Sequence, residues 1–306
     1  MISPYAAALP ISWKSQVASW FTEDCTSFDY AGYVVGDAEK TATLYGTSNG
    51  VLAGIPFFNE IFALAECTVE WLVDEGSVIQ VGTEGTVALA SVTGPVRKLL
   101  LGQRIAISML SRCSAIATKS KTMRDLLTNA GYNGILAGTR KTTPGFRLVE
   151  KYGMMVGGVD GHRYDLSSMI MMKDNHIWAG KKMSDSIKAA KAAGGHTLKV
   201  EVEVDSEAAA NSAAEAGADV IMLDNFDAEG AKVAAENIKK RWGEKLLVEC
   251  SGSITADNIT SYASKGKFHH FQNTQLTMIC IDIDVISTSS VHQGVQLVYF
   301  SIKLNH

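Results

Sequence analysis

Residues 198–225 read LKVEVEVDSEAAANSAAEAGADVIMLDN, and this stretch decides the fold class. Val200, Val202 and Val204 alternate with Glu201 and Glu203, the period of two that an extended strand requires. The Ala-rich segment Ser206–Ala216 follows, with Ser at the cap position and no β-branched residue to oppose a helix. Gly217 closes it, and Val220–Leu223 is again a short apolar run. A strand, a helix and a second strand in so short a stretch imply parallel strands joined by a right-handed crossover.

The same alternation continues on both sides. Candidate strands are Ile135–Gly138, Met154–Val156, Met169–Lys173, Leu198–Val204, Val220–Leu223, Leu246–Glu249 and Val285–Ser287, with helices at Ser184–Ala193, Ser206–Ala216 and Ala228–Trp242. About seven parallel strands predict an incomplete α/β barrel over residues 119–292, with its chemistry at the C-terminal strand ends. Residues 1–118 differ in texture. Short alternating runs (Ala42–Tyr45, Thr68–Leu72, Thr86–Val92) separated by Gly and acidic turns predict an α+β sandwich domain with an antiparallel sheet, ending in a long helix over Arg97–Thr118. The tail, about 293–306, is expected to pack back on this first domain.

Charge narrows the function classes. The chain carries 28 Lys and Arg against 32 Asp and Glu, and 46% of its residues are hydrophobic, which excludes a uniformly basic nucleic-acid binder and a highly charged disordered chain. Residues 97–173 nevertheless hold thirteen bases and only four acids, a cationic block suited to an anion. No apolar run reaches the roughly 20 residues of a membrane span. Met1–Trp20 has no charged start followed by an apolar run, so no signal peptide is expected. Five scattered cysteines without a CxxC pair read as reduced thiols of a cytoplasmic protein, with the nucleus as an additional location.

The strand ends concentrate the polar chemistry. The first runs into Thr139-Arg140-Lys141-Thr142-Thr143-Pro144-Gly145, the second into Gly157-Gly158 and then His162-Arg163, the third into Lys173-Asp174-Asn175-His176. Alternation places Lys199, Glu201 and Glu203 on one face, pointing into the barrel, where charges require partners. Asp224-Asn225, Cys250-Ser251-Gly252 and Thr288-Ser289-Ser290 end the remaining strands. Arg forks and a cationic His suit planar carboxylates. Ser/Gly turns with free backbone N–H groups suit a phosphate, and carboxylates beside a phosphate commonly hold Mg²⁺. Each feature also has a plain structural reading. Arg140-Lys141 reads equally as a solvated loop, Glu203 as an ion-pair partner of Lys199 or Lys173, and Arg147, Glu150 and Lys151 as solvated pairs along a helix. Lys173 is hardest to dismiss, because it directly ends the apolar run Met169–Met172.

Taken together, Ala137–Gly145, His162-Arg163-Tyr164, Lys173–His176, Glu201–Glu203, Ala216–Asn225, Ser251-Gly252 and the ending Phe300–Leu304 resemble the quinolinate phosphoribosyltransferases, also called nicotinate-nucleotide pyrophosphorylases. The resemblance runs in order through nearly the whole chain, and the stretch after His176 and Ser287–Gly294 resemble the fungal branch. It implies an enzyme, a pentosyltransferase converting quinolinate and phosphoribosyl pyrophosphate to nicotinate mononucleotide, pyrophosphate and CO₂ in NAD biosynthesis. It further implies a homodimer sharing active sites, or a hexamer, with no nucleic-acid or membrane partner. On the matching positions it implies that Arg140, His162, Arg163 and Lys173 hold the substrate carboxylates, with Arg104 reaching in from the neighbouring subunit and Lys141 between the two substrates. Lys173, Glu203 and Asp224 are the implied catalytic groups, Glu203 and Asp224 organising Mg²⁺ indirectly through the phosphoribosyl substrate. Ser251, Gly252, Ser289 and Ser290 would cradle the 5′-phosphate.

Two departures stand out. The family's Ser-Gly-Gly phosphate turn is Ser251-Gly252-Ser253 here, and a positive φ at the third position would strain Ser253. Residues 265–281 are an atypical insertion where a connection of roughly two to six residues is expected. Their non-periodic composition argues against an added structural element and reads as a retained intron, since Ser264-Lys265 joined to Asp282–Ser287 resembles the family. Two readings from other classes remain open: a phosphate-binding barrel lyase with Lys173 as Schiff-base lysine, and a non-catalytic anion-binding relative inactivated by the insertion.

Overall fold

The computed structural model describes residues 4–83, 85–179, 182–264, 267–270, 277–280 and 282–305. The chain begins with α1 (Trp13–Asp24), α2 (Tyr30–Val35), β1 (Glu39–Gly46), β2 (Gly50–Val51), α3 (Ile55–Leu64), β3 (Thr68–Trp71), β4 (Val78–Ile79), β5 (Val87–Pro95) and α4 (Val96–Asn129). There follow β6 (Ile135–Ala137), α5 (Arg147–Val156), β7 (Ile170–Met172), α6 (Asp174–Trp178), α7 (Met183–Gly194), β8 (Val200–Val204), α8 (Glu207–Glu215), β9 (Val220–Asp224) and α9 (Ala228–Trp242). The last strands are β10 (Leu247–Ser251), β11 (Lys267–His270), β12 (Thr277–Cys280), β13 (Val285–Ser287) and β14 (Phe300–Leu304). Two compact units result: 1–121 with 142–158 and 294–306, and 122–141 with 159–293.

The first unit is built on an antiparallel sheet of order β14-β1-β5-β3. Its edge strand β14 comes from the tail, with Leu304 opposite Ala42 and Phe300 opposite Gly46. Alternation along β1 turns Ala42 and Leu44 into the core, where both are fully buried. Helix α3 supplies Phe57, Phe58, Ile61 and Phe62, all fully buried, at roughly 1.5–3 kcal/mol each. The Phe57 ring meets Tyr152 at 5.1 Å and Phe58 meets Trp71 at 5.2 Å, both edge-on. At the start of α3 the Glu75 carboxylate accepts the backbone N–H groups of Gly54 and Ile55 at 2.6 and 3.0 Å. Burial raises the Glu75 pKa to about 7 against those two donors.

Three expectations are corrected in this unit. The helix predicted over Arg97–Thr118 continues to Asn129, a rod about 50 Å long at 1.5 Å per residue. Met154–Val156 is not a strand but the last turn of α5, and Thr142–Gly158 groups with the first unit instead of the barrel. The apolar positions Leu148, Tyr152 and Val156 recur every fourth residue, the spacing of a helix face. Gly153 and Gly157 let α5 lie against α4, since a Cβ on either would stand within 2.8 Å of the Cys113 or Ala117 carbonyl oxygen. Glu150 is not a solvated ion-pair member. It is buried, accepts from Thr143 Oγ1 at 2.7 Å and pairs with Arg112.

The second unit holds a parallel sheet of six strands, β6-β13-β10-β9-β8-β7. The order follows the chain from β7 to β13 and then returns to β6, so the first strand lies beside the last, as in a barrel. The place predicted for a seventh strand is taken by one parallel bridge, Ala137 to Asp160, which leaves the barrel incomplete. Helices α7, α8 and α9 make the crossovers into β8, β9 and β10, with Ser206 capping Ala209 N–H and Asp227 capping Gly230 N–H. At the opposite strand ends Lys239 Nζ and Val248 N–H both donate to the Asp284 carboxylate, at 2.8 and 2.7 Å, which aligns β10 with β13. Lys199 does not point into the barrel: β8 begins one residue later, and the side chain is exposed.

The insertion 265–281 lies partly outside the described residues (265, 266, 271–276 and 281). Within it β11 and β12 pair antiparallel, Lys267 opposite Cys280 and His270 opposite Thr277, so the expectation of no added element is corrected. The chain enters and leaves the segment at one point, where Ser264 Oγ accepts the Ile283 N–H at 3.3 Å. Among the described residues, no helix is long and apolar enough to cross a membrane.

Candidate active site

Six strand ends and one turn converge on a cavity of about 180 Å³. After β6 come Thr139, Arg140 and Lys141; β7 contributes Met171 and the adjoining Lys173; β8 contributes Glu203, β9 Met222 and Asp224, β10 Ser251 and β13 Ser287. His162 and Arg163 enter from the turn that follows Asp160. Eight residues singled out from sequence therefore share one wall-to-wall space: Arg140, Lys141, His162, Arg163, Lys173, Glu203, Asp224 and Ser251. Gly252 is the next residue, with φ +107° and no room for a Cβ, which would stand 2.7 Å from the Asn225 nitrogen. Ser289 and Ser290 do not line the cavity. They open a short turn after β13, where the Ser290 N–H is taken by Thr288 Oγ1 at 3.0 Å. Arg104 is exposed on α4 in the first unit.

Electrostatics divide the cavity. Lys173 Nζ is paired with Glu203 across neighbouring strands. The ion pair that reads as plain structure from sequence is thus present, and both of its members line the cavity. Burial first, then the neighbouring Glu203 charge, raises the Asp224 pKa, while Lys173 and Lys141 oppose the rise. Burial and the adjacent Arg140 guanidinium lower that of Arg163. A second, more open cavity of about 670 Å³ adjoins through the shared residues Glu203 and Asp224 and adds Asp174, Asp205 and Asp227. These carboxylates are hard oxygen donors of the kind that suit Mg²⁺.

Beneath the cationic wall lies a buried group in which sequence reading singles out Glu201 but not Glu249 or Ser287. Glu249 on β10 is 3% exposed and faces His162 Nε2 at 3.2 and 3.3 Å, and Ser287 on β13 donates its hydroxyl to the same carboxylate. Glu201 is fully buried beside them, and burial together with the Glu249 charge pushes its pKa well up. Thr139 is also new. It lies 3.2 Å from His292 Nε2 and accepts the Lys141 N–H at 3.1 Å, and Gln293 Nε2 donates to the Lys141 carbonyl at 2.8 Å. The available signal for Glu249 was an acid inside the apolar run Leu246–Cys250. In the Ser251-Gly252-Ser253 turn Ser253 adopts φ +50°, so the strained geometry anticipated for that departure is present.

An incomplete α/β barrel that gathers cations opposite carboxylates at its C-terminal strand ends defines an enzyme class acting on anionic substrates. Comparison with known proteins names the family. The model of the quinolinate phosphoribosyl transferase N-terminal domain matches residues 22–114, and that of the C-terminal domain matches residues 116–303. The chain is 43% identical over 295 residues to the carboxylating nicotinate-nucleotide pyrophosphorylase of Rattus norvegicus, covering 96% of this chain and 92% of that protein. It is 40% identical over 299 residues to the protein of the same name from Dictyostelium discoideum, covering 94% of each. The crystal structure of NadC from Streptococcus pyogenes superposes with a TM-score of 0.82 at 32% identity, covering 97% of both chains. The chain belongs to the quinolinate phosphoribosyltransferase family.

Proposed function

We propose that this chain transfers the phosphoribosyl group of phosphoribosyl pyrophosphate to the ring nitrogen of quinolinate, and that pyrophosphate and then CO₂ leave to give nicotinate mononucleotide. The observation that carries the reading is the single cavity in which Arg140, Lys141, Arg163 and Lys173 meet Glu203 and Asp224. Two carboxylates on a planar ring need more than one cation, and Arg140 and Arg163 offer two guanidinium forks. Glu203 and Asp224 supply negative charge where cationic character develops at the anomeric carbon as pyrophosphate departs. The Ser251-Gly252-Ser253 turn is the proposed seat of the 5′-phosphate, with Ser289 and Ser290 beyond it. Once the ring nitrogen carries the ribosyl bond, its positive charge stabilises the electron pair left on C2 as CO₂ departs, and C2 then takes up a proton to give the product.

Mg²⁺ fits the carboxylate set of Asp174, Glu203, Asp205, Asp224 and Asp227, and when bound it supplies charge neutralisation for pyrophosphate. We further propose a homodimer in which Arg104 of one subunit serves the other's site, higher assembly to a hexamer, and a cytoplasmic location with the nucleus as an additional one. The free thiols Cys25, Cys67, Cys113 and Cys250 favour that compartment.

The Schiff-base reading loses ground because the Lys173 amine is engaged by the Glu203 carboxylate and would have to leave it to act as a nucleophile. The inactive-relative reading loses ground because β13 keeps its parallel register, Val285 beside Glu249 and Ile135, despite the insertion. Pyrophosphate release from phosphoribosyl pyrophosphate, measured with quinolinate or nicotinate and with or without Mg²⁺, tests the proposal. Release with quinolinate and Mg²⁺, accompanied by CO₂, is expected; release with nicotinate alone would overturn it.

A further inference from the structure

The turn that delivers Arg163 to the cavity is held in an unusual way. His162 has φ +55°, a left-handed conformation that a β-carbon disfavours by roughly 1–2 kcal/mol. Its backbone N–H donates to Asp160 Oδ1 at 2.6 Å, and its ring Nδ1 accepts the backbone N–H of Arg163 at 2.7 Å. A nitrogen that accepts carries no proton, so the ring proton sits on Nε2, and Nε2 faces the Glu249 carboxylate at 3.2 and 3.3 Å. Glu249 is fixed in turn by the hydroxyl of Ser287. Both ring nitrogens of His162 are therefore spent inside the protein, and its side chain is only 9% exposed.

We infer that Glu249, seated by Ser287, is a positioning residue: it holds the His162 ring so that Nδ1 secures the Arg163 backbone and the Arg163 side chain lines the substrate cavity. His162 thus fixes the Arg163 backbone in addition to lining the cavity itself. The inference rests on the proposed function in one respect, that Arg163 meets quinolinate. The geometry accounts for three features at once. A buried carboxylate needs donors and finds them in Ser287 and His162; a left-handed histidine needs anchors on both sides of its ring; and a cavity-lining arginine needs a fixed backbone to be pre-organised.

Two measurements test it. Protein labelled with nitrogen-15 in histidine reads the geometry without substrate, with His162 identified by the signal lost in H162Q. In its neutral form the His162 ring is expected to carry its proton on Nε2; E249A abolishes that preference, and E249Q keeps it because the amide oxygen still accepts. In kinetics, E249A is expected to raise the quinolinate KM about tenfold, the scale of one hydrogen bond to a charged group, with the phosphoribosyl pyrophosphate KM unchanged. In an R163A background the same substitution should add nothing further. A proton on Nδ1, or an E249A effect that persists in full beside R163A, overturns the inference. Should E249A not fold, S287A replaces it, with an expected rise of about threefold in quinolinate KM from the loss of one hydroxyl donor; an unchanged KM in S287A likewise overturns it. A wild-type protein that releases no pyrophosphate with quinolinate defeats the proposed function instead, and the tautomer spectrum then decides this inference alone.

Discussion

Lys173, one residue past the end of β7, is ion-paired with Glu203 on β8, so that a cation and an anion from adjacent strands share the cavity floor. Neither is fully withdrawn from water: 43% of the Lys173 side chain is exposed and 14% of that of Glu203.

Replacing Lys173 with Ala removes a substrate cation and leaves Glu203 uncompensated beside Asp224. Turnover is expected to fall by roughly 10²–10³, the scale seen when one preorganised charge or donor is removed from a site. The midpoint of thermal unfolding should change little, because a partly exposed ion pair contributes little to stability. Steady-state rates and a melting curve on the same preparation check both halves; near-normal turnover would remove Lys173 from the catalytic groups.

Ser253 stands at φ +50° in the turn proposed to seat the 5′-phosphate, where the family pattern has glycine. Holding a β-carbon there costs about 1 kcal/mol whenever the cradle is formed. The folded chain already carries that strain, so S253G is expected to melt at or above the wild-type temperature with the KM for phosphoribosyl pyrophosphate unchanged. A melting curve and initial-rate measurements against phosphoribosyl pyrophosphate decide it, and an increased KM would show that the serine side chain itself assists binding.

The α8 crossover was legible because Val200–Val204 and Glu207–Glu215 carry opposite periodicities with a capping serine between them. Met154–Val156 was not, since three apolar residues before Gly157-Gly158 present the same local pattern as a short strand; only Tyr152 and Leu148, one turn and two turns before Val156, disclose the helix. In the site, charged residues at strand ends stood out because hydrophobic packing does not explain them. Glu249 did not, because its meaning depends on His162, 87 positions away, and on a ring orientation that no sequence pattern encodes. Lys199 erred by one residue at a strand boundary, the feature local periodicity resolves least well.

Glu75, buried at the N-terminus of α3, has its pKa raised from 4.5 to about 7, chiefly by burial. An acid that binds its proton more tightly when folded stabilises the protein fully below its unfolded pKa, and that contribution is lost as pH rises through the folded value. Wild-type stability should therefore decline from about pH 4.5 to about pH 7 by up to about 3 kcal/mol from this group alone. E75Q cannot ionise and should lack that component, so the melting-temperature difference between wild type and variant should shrink from pH 5 to pH 7. A difference independent of pH across that window would place the Glu75 titration elsewhere.

Ser264 and Ile283 are already joined by a hydrogen bond from the Ile283 N–H to the Ser264 hydroxyl, so the ends of the insertion meet without its help. Both are buried, and Ile283 leads directly into Asp284, whose carboxylate anchors β10 and α9. Joining Lys265 to Asp282 therefore asks only for a tight connection between points in contact. Shortening the loop also removes closure entropy of about 2 kcal/mol, at about 0.6 kcal/mol for each halving of length. The variant lacking residues 266–281 is expected to fold, to melt at or above the wild-type temperature, and to release pyrophosphate at least as fast. If the segment is a retained intron, the mature transcript encodes that shorter chain. A deletion variant that is insoluble or inactive, or a mature transcript that keeps the segment, would make residues 265–281 a genuine part of the enzyme.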